Sequence, residues 1–327
     1  MFYNVGQWQS RRFTLEYLLE TDNITKKYGK ITAVDHVSIH LKKGEIYGLI
    51  GRNGAGKTTL LKMLAGLAKP TEGNYSIFGE SEKETAKLRD RIGVLIESPG
   101  LYPNMTALEN MKIKALMLGM NDDAFLKELL ADVGLDSRSE KLKVKQYSLG
   151  MKQRLGIAMT LVGHPDLLLL DEPINGLDPQ GIVEIRELIA RLSKERNITI
   201  LISSHILEEL SKISTRYGIL HNGQLIDEFT HSELLRRCRE RIEIRPSDAT
   251  KAVTVIEKMG ITEYKVLDKS VIQIFERLED SGEIVLELAK NNIKTLGIAV
   301  KNEALEDYYL SLTGSAMRRE EAGKGKE

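Results

Sequence analysis

Cysteine is almost missing from this chain. Cys238 is the only one in 327 residues, so no internal disulfide framework can form, and a reducing compartment is the natural home. An excess of either charge is missing too. The 47 Lys and Arg are balanced by 47 Asp and Glu, which removes the global attraction to nucleic acid that a polycation would have. Long hydrophobic runs are absent. The longest, such as Leu167 to Leu170, are broken by charge within a few residues, whereas a spanning helix needs about 20 apolar positions. The start, Met1 to Thr14, has no apolar segment of the signal-peptide kind. Aromatics are scarce at 6%, yet Phe2, Tyr3, Trp8, Phe13 and Tyr17 crowd into the first 17 residues. That segment follows neither a helical nor a strand period. It reads as a disordered extension over 1–14, with the ordered chain beginning near Leu15; an arm docked by its aromatics is the alternative.

What is present is enough for packed cores: 42% of residues are hydrophobic. The length predicts two domains. Val37, Ile39 and Leu41 alternate with polar residues as in a half-buried strand, and Ile46 to Ile50 is the short apolar run of a strand buried on both faces. A glycine-rich stretch, Gly51 to Gly56, follows, and then a helix over 57–67. Further buried strands are expected at 92–96, 167–170 and 198–202. Between the first two of these lies a mostly helical block, 97–159. In it Thr106 and Glu109 form a capping box, and a second helix runs from Ala124 to Val133. Asp178-Pro179 starts another helix, whose apolar face is Ile182, Ile185, Ile189 and Leu192. Alternation of strands and helices predicts an α/β fold around a mostly parallel sheet. A hairpin is expected at Asn222-Gly223, and a helix capped by Thr230 and Glu233 after it.

The strongest chemical signal is Gly51-Arg52-Asn53-Gly54-Ala55-Gly56-Lys57-Thr58, which fits the phosphate-loop pattern G-x-x-x-x-G-K-[ST]. Glycines let backbone N–H groups converge on phosphate oxygens, and the helix that follows turns its positive end to the same anion. Lys57 adds a full charge, and Thr58 offers a hydroxyl to Mg²⁺. Leu167-Leu168-Leu169-Leu170-Asp171-Glu172 delivers two carboxylates at the C-terminal end of a strand, where α/β sheets bind ligands. Asp171 would hold Mg²⁺ through its water shell, and Glu172 would orient or deprotonate an attacking water. The segment Tyr147-Ser148-Leu149-Gly150-Met151-Lys152-Gln153-Arg154 opens a helix just ahead of that strand and makes a second anion site.

These motifs, in this order, resemble the ATP-binding-cassette (ABC) family over about residues 18–235. The resemblance implies a P-loop NTPase (RecA-like) nucleotide-binding domain with an antiparallel β subdomain and a helical insertion. It makes ATP and Mg²⁺ the cofactors, with Gly51, Arg52, Asn53, Gly54, Ala55, Gly56, Lys57, Thr58 and Thr59 as the phosphate-binding set. Tyr28 matches the aromatic that stacks on adenine; alone it would be read as core or surface. Ser148, Leu149, Gly150 and Met151 match the signature that serves the ATP of an opposing subunit. Asp178 matches the loop at the dimer seam, and His205 the histidine that contacts the γ-phosphate. The other histidines carry no such assignment.

One position departs from the family pattern. Where the family usually has Gln at the end of the 92–96 strand, this chain has Glu97. It is assigned here to the catalytic and metal set, since a carboxylate can still ligate Mg²⁺. Together with the signature sequence it resembles the bacitracin and lantibiotic self-protection exporters. The reading is a cytoplasmic ATPase, peripheral on the inner face of the cell membrane. It forms a head-to-tail dimer with a second ATP-binding subunit, drives an integral membrane permease and takes no nucleic acid. Export of a different cargo is the main rival. A soluble cassette acting on ribosomes or DNA is disfavoured by the single phosphate loop and the neutral charge. The boundary is set at 240–241. Beyond it, strands and helices at 242–245, 249–258, 264–275, 281–290, 296–300 and 303–312 predict a small split βαβ domain with a disordered tail from about 318. Its core candidates are Val266, Val271, Ile272 and Ile274, with Ile284, Val285 and Leu288 facing them.

Overall fold

A computed structural model of the chain describes residues 17–135, 139–237, 240–267, 270–301 and 308. The extension assigned to 1–14, the tail from about 318 and, Tyr308 apart, the helix expected at 303–312 lie outside them. The chain forms two compact units, 1–231 and 232–327. No described helix is long and apolar enough to cross a membrane.

The first unit opens with β1 (Leu19–Tyr28), β2 (Ile31–Val37), β3 (His40–Leu41), β4 (Ile46–Ile50) and α1 (Lys57–Leu64). It continues through β5 (Glu72–Ile77), β6 (Glu80–Ser81), α2 (Glu82–Thr85) and β7 (Ile92–Leu95). Helices α3 (Ala107–Met117), α4 (Asp123–Asp132) and α5 (Leu149–Leu161) follow, then β8 (Leu167–Asp171) and α6 (Pro179–Arg196). Last come β9 (Thr199–Ser204), α7 (Leu207–Ser211), β10 (Arg216–His221), β11 (Gln224–Thr230) and the start of α8 (His231–Arg237).

Two sheets result. One is antiparallel, in the order β2-β1-β5-β6 with β3 also on β1; the other runs β11-β10-β4-β9-β8-β7. In the second sheet every pairing is parallel except the β10–β11 hairpin, which turns at Asn222 and Gly223 with φ of 46° and 82°. Strands β4, β8 and β9 are buried along their whole length, as their unbroken apolar runs predict. Helix α1 presents Leu60, Leu61, Met63 and Leu64 to a core shared with Leu19, Ile24 and Val34 of the antiparallel sheet and Leu167 and Leu169 of β8. Each such side chain contributes about 1.5–3 kcal/mol by leaving water. The helix is thereby fixed at the C-terminal ends of the parallel strands.

The expected strand over 37–41 is interrupted. Val37, Ile39 and Leu41 are all buried, but β2 stops at Val37 and β3 starts at His40. At the break the Thr21 hydroxyl donates to Val37 O (3.0 Å) and accepts from Ile39 N (2.9 Å), beside one backbone bond from Thr21 N to Ile39 O (3.0 Å). The helix expected over 57–67 also ends early, at Leu64, where Leu67 N folds back onto Lys62 O. In the 97–159 block, α3 carries the expected capping box at Thr106 and Glu109.

The second unit contains β12 (Arg241–Pro246), α9 (Ala249–Lys258), β13 (Tyr264–Leu267), β14 (Val271–Ile274), α10 (Ser281–Lys290) and β15 (Thr295–Lys301). Its sheet is antiparallel throughout, in the order β13-β14-β12-β15, the split βαβ arrangement. Ile242, Ile244, Ile272 and Ile274 pack against Ala252, Ile256, Ile284 and Leu288. Val266 is not core: it lies on the edge strand β13 and is 44% exposed, and Val271 and Val285 are half-buried.

Gly73 and Gly79 share a φ of +79° but not their surroundings. A Cβ on Gly73 would sit 2.2 Å from Asn23 O, while one on Gly79 meets nothing within 4 Å. Gly73→Ala should therefore cost about 2–4 kcal/mol and Gly79→Ala only about 1 kcal/mol. Thermal unfolding of both variants checks this; equal losses would contradict the close approach of β5 to β1.

Candidate functional site

The site is built where β4, β8 and β9 end and α1 begins. Strand β4 runs into the loop 51–56, which exposes Arg52, Asn53 and Gly54 while Gly51 and Ala55 are buried. Gly56 caps α1 with φ 105°, and a Cβ there would lie 2.3 Å from Ala33 O, so only glycine fits. The first turn of α1 carries Lys57, Thr58 and Thr59 and no acidic residue, which leaves its positive end open to an anion.

Lys57 is buried. Its Nζ donates to Gly51 O at 2.6 Å and lies 3.0 Å from Glu172 Oε1. That contact is an ion pair without hydrogen-bond geometry, and Glu172 Oε1 has no hydrogen-bond partner. Asp171, 3% exposed, ends β8 and is bonded on both oxygens: Thr58 Oγ1 donates to Oδ2 at 2.7 Å, Ser203 Oγ to Oδ1 at 2.6 Å. Ser203 Oγ also accepts from Glu172 N at 2.9 Å. His205 Nδ1 is 2.9 Å from Glu172 Oε2. Lys57, Thr58, Asp171, Glu172 and His205 thus form one connected group, as their motifs imply.

Glu97 stands apart from that group. Its Oε1 is 2.6 Å from Lys62 Nζ, on the turn of α1 after Lys57 and Thr58. The Glu97 carboxylate bonded to Lys62 raises the pKa of that ammonium. Tyr28, at the end of β1, is 49% exposed with Lys26 Nζ 5.0 Å from its ring centroid. Its free face suits stacking on a planar base.

The signature segment lies elsewhere. Ser148 caps α5, its hydroxyl accepting from Met151 N at 3.2 Å. Asp178 caps α6, accepting from Gly181 N at 2.9 Å. Ser148, Leu149, Gly150 and Met151 line one cleft together with Leu177 and Asp178, and no residue of the phosphate loop reaches it. Leu149 is 52% exposed there. The two anion sites are therefore separate within one chain.

Two residues of the site carry no motif of their own. Ser203, which ties Asp171 to the Glu172 backbone, is one of two buried serines, with Ser204, that precede His205 on the neighbouring strand. Lys62 gives no signal beyond its place on α1. For a divalent cation the donor set fits: Thr58 and Asp171 offer hard oxygens on the phosphate side, and Mg²⁺ takes few protein ligands and keeps several waters.

Residues 34–175 match the family model described as ABC transporter. The bacitracin transport ATP-binding protein BcrA of Bacillus licheniformis is 46% identical over 299 residues, 91% of this chain and 97% of that protein. The lantibiotic transport ATP-binding protein SrtF of Streptococcus pyogenes is 47% identical over 211 residues, 64% of this chain and 90% of that protein. Among solved structures, the ATP-binding cassette MJ0796, a dimer in a post-hydrolysis state bound to ADP and Pi, superposes with a TM-score of 0.60 at 28% identity. That match covers 65% of this chain and 98% of that one. This chain belongs to the ABC transporter family. It is an ATP-hydrolysing subunit on the P-loop NTPase fold, and its relatives are those that the signature and Glu97 pointed to.

Ser203→Ala should lower stability by about 1–3 kcal/mol, because it leaves the buried Asp171 Oδ1 and the Glu172 N–H without a partner. Urea unfolding measures the loss; a shift below a few tenths of a kcal/mol would show that Ser203 does not join the two strands.

Proposed function

We propose that this chain is the ATPase subunit of an exporter for a peptide antibiotic, held on the cytoplasmic face of the membrane by a separate permease. The names of its relatives support the cargo and the permease. The observation that carries the hydrolytic part is the group Lys57–Glu172–His205, joined through Ser203 to Asp171 and Thr58.

The roles follow from charge and position. The loop 51–56 and Lys57 hold the β- and γ-phosphates of ATP, Thr59 supports the same turn, and Tyr28 stacks on the adenine. Thr58, and Asp171 through water, would hold Mg²⁺, which neutralises phosphate charge when bound. Phosphate oxygens compete with Glu172 for Lys57. Their arrival leaves Glu172 to take a proton from the attacking water. His205 orients that carboxylate and faces the γ-phosphate.

The signature cleft holds no residue of the chain's own phosphate loop, which fits a head-to-tail dimer in which Ser148 and Gly150 meet the partner's ATP. Cassettes of this family have been solved as dimers, which supports the same assembly. We place the ATPase in residues 15–240, with the helical subdomain at 97–159, and an accessory domain in 241–327; the compact units divide earlier in the chain, between His231 and Ser232. The match to SrtF supports this division: it covers 90% of that protein in 211 residues, leaving no room there for a unit like the second one here. A groove of about 290 Å³, lined by Val94, Leu95, Pro99, Leu118 and Met159, is where the permease would dock.

Glu172→Gln should keep ATP binding and lose hydrolysis by about 100-fold or more, trapping an ATP-bound dimer visible by gel filtration. Lys57→Ala should instead weaken ATP binding itself. Wild-type turnover in Glu172→Gln would overturn the assignment of the base. Co-purification with a membrane partner, followed by ATPase assays with added bacitracin or a lantibiotic, tests the cargo.

Glu97 adds a negative charge beside the triphosphate, and Lys62 offsets it. Lys62→Met should weaken ATP binding about threefold to tenfold when Glu97 is present, and have little effect in a Glu97→Gln background. Glu97→Gln alone should preserve ATP binding in the isolated subunit. Equal losses from Lys62→Met in both backgrounds, measured by nucleotide titration, would show that the two residues act independently.

A further inference from the structure

In the second unit, the two faces of the sheet are unlike each other. Ile242, Ile244, Ile272 and Ile274 turn to one face and are covered by α9 and α10. The strand period of two places Arg241, Glu243, Lys265, Leu267, Gln273 and Phe275 on the other. The register confirms this, since Glu243 and Lys265 both lie opposite Gln273. Arg236 and Arg237 of α8, together with Tyr308, complete a cleft of about 630 Å³ over this face.

Among the described residues, Arg236, Arg237, Arg241 and Lys265 line the cleft with one carboxylate, Glu233. Glu243, beneath them, is already saturated. Arg241 Nε and Gln273 Nε2 each donate to it at 2.9 Å, and Lys301 Nζ lies 2.8 Å away. Burial pushes its pKa up, but the bonds from Lys301, Gln273 and Arg241 outweigh that and hold it down to about 2. Glu243 therefore cannot also serve as counter-ion for Arg236 and Lys265. Among the described residues, Arg236 and Lys265 have no hydrogen bond or ion pair, and both are exposed.

Like charges gathered in one concavity repel, and an anion relieves them. Arginine forks match the oxygens of a phosphate, and lysine adds a point charge. Gln273 forms a 9% exposed polar floor, and the rings of Phe275 and Tyr308 give an apolar wall. We propose that this cleft is a binding site for a phosphate-bearing ligand, separate from the ATP site. The phosphate sits between Arg236 and Lys265, within reach of Arg237 and Arg241, and an apolar part of the ligand lies along Phe275. The phosphate is carried either by a soluble molecule or by a phospholipid headgroup.

The test uses the full chain with Lys57→Ala, so that the phosphate loop does not contribute, and compares it with the same chain carrying Arg236→Glu and Lys265→Glu. Inorganic pyrophosphate is titrated by calorimetry, and flotation is run with phosphatidylglycerol vesicles against phosphatidylcholine vesicles. Both substitutions are at exposed positions, and matching thermal unfolding of the two proteins checks the fold. A milder pair, Arg236→Gln with Lys265→Gln, provides a second variant. The expected result is at least a tenfold loss of affinity in the charge-reversed protein, an intermediate loss in the milder one, and binding that falls with salt. Loss on pyrophosphate points to the soluble source, and loss confined to phosphatidylglycerol vesicles to the lipid. No binding of either probe, or binding that survives charge reversal, would overturn the site.

Discussion

The Asp171 carboxylate is the point on which the first unit depends. It is 3% exposed at the end of a fully buried strand, and a charge there is tolerable only if both oxygens are bonded. Thr58 and Ser203 satisfy it, and they come from α1 and β9. One ion thereby joins three elements: the helix after the phosphate loop, the strand that delivers Glu172 and the strand that delivers His205. Loosening any of them would expose a buried carboxylate to a partnerless environment, which costs several kcal/mol. The geometry of the ATP site is thus kept by a desolvated charge as well as by the apolar core beneath it.

That core explains why the same elements meet. Leu60 and Leu64 of α1 pack with Leu167 and Leu169 of β8 and with the antiparallel strands. Parallel pairing of β4, β8 and β9 brings their C-terminal ends level, so the loop 51–56, Asp171 and Ser203 emerge on one edge. The α1 N-terminus then points at the anion by necessity, because the helix starts where β4 ends.

Much of this was legible in the sequence, because the parts that bind phosphate are local. The phosphate loop, the buried strands β4 and β8, the Asp178 cap and the Asn222-Gly223 hairpin all announce themselves within a few residues. The antiparallel strands β1 and β5 did not. Leu19–Tyr28 alternates poorly, with a burial pattern broken at Asn23 by a positive φ, and its partner β5 opens with exposed Glu72, Gly73 and Asn74. Its pairing is between residues some fifty positions apart. Ser203 and Lys62 were hidden for the same reason: their roles depend on what a distant segment brings beside them. Val266 failed as a core residue because alternation reveals the face of a strand but not whether the strand lies at the edge of its sheet.

Glu97 and Glu172 share a residue type and a level in the sheet but not their surroundings. In the parallel pairing of β7 with β8, Leu95 lies opposite Leu170, so the two glutamates leave neighbouring strands at the same level. Both also take left-handed backbone, with φ of 63° and 47°, a strain of about 1–3 kcal/mol that turns each side chain out of its strand. Their counter-charges then separate them. Glu172 is 19% exposed and held between Lys57 and His205. Glu97 is 64% exposed and tied to Lys62, so its charge is offset on the surface of α1. An exposed ion pair of that kind contributes little to stability. Its consequence is positional: it links the start of the helical block to the helix that carries Lys57.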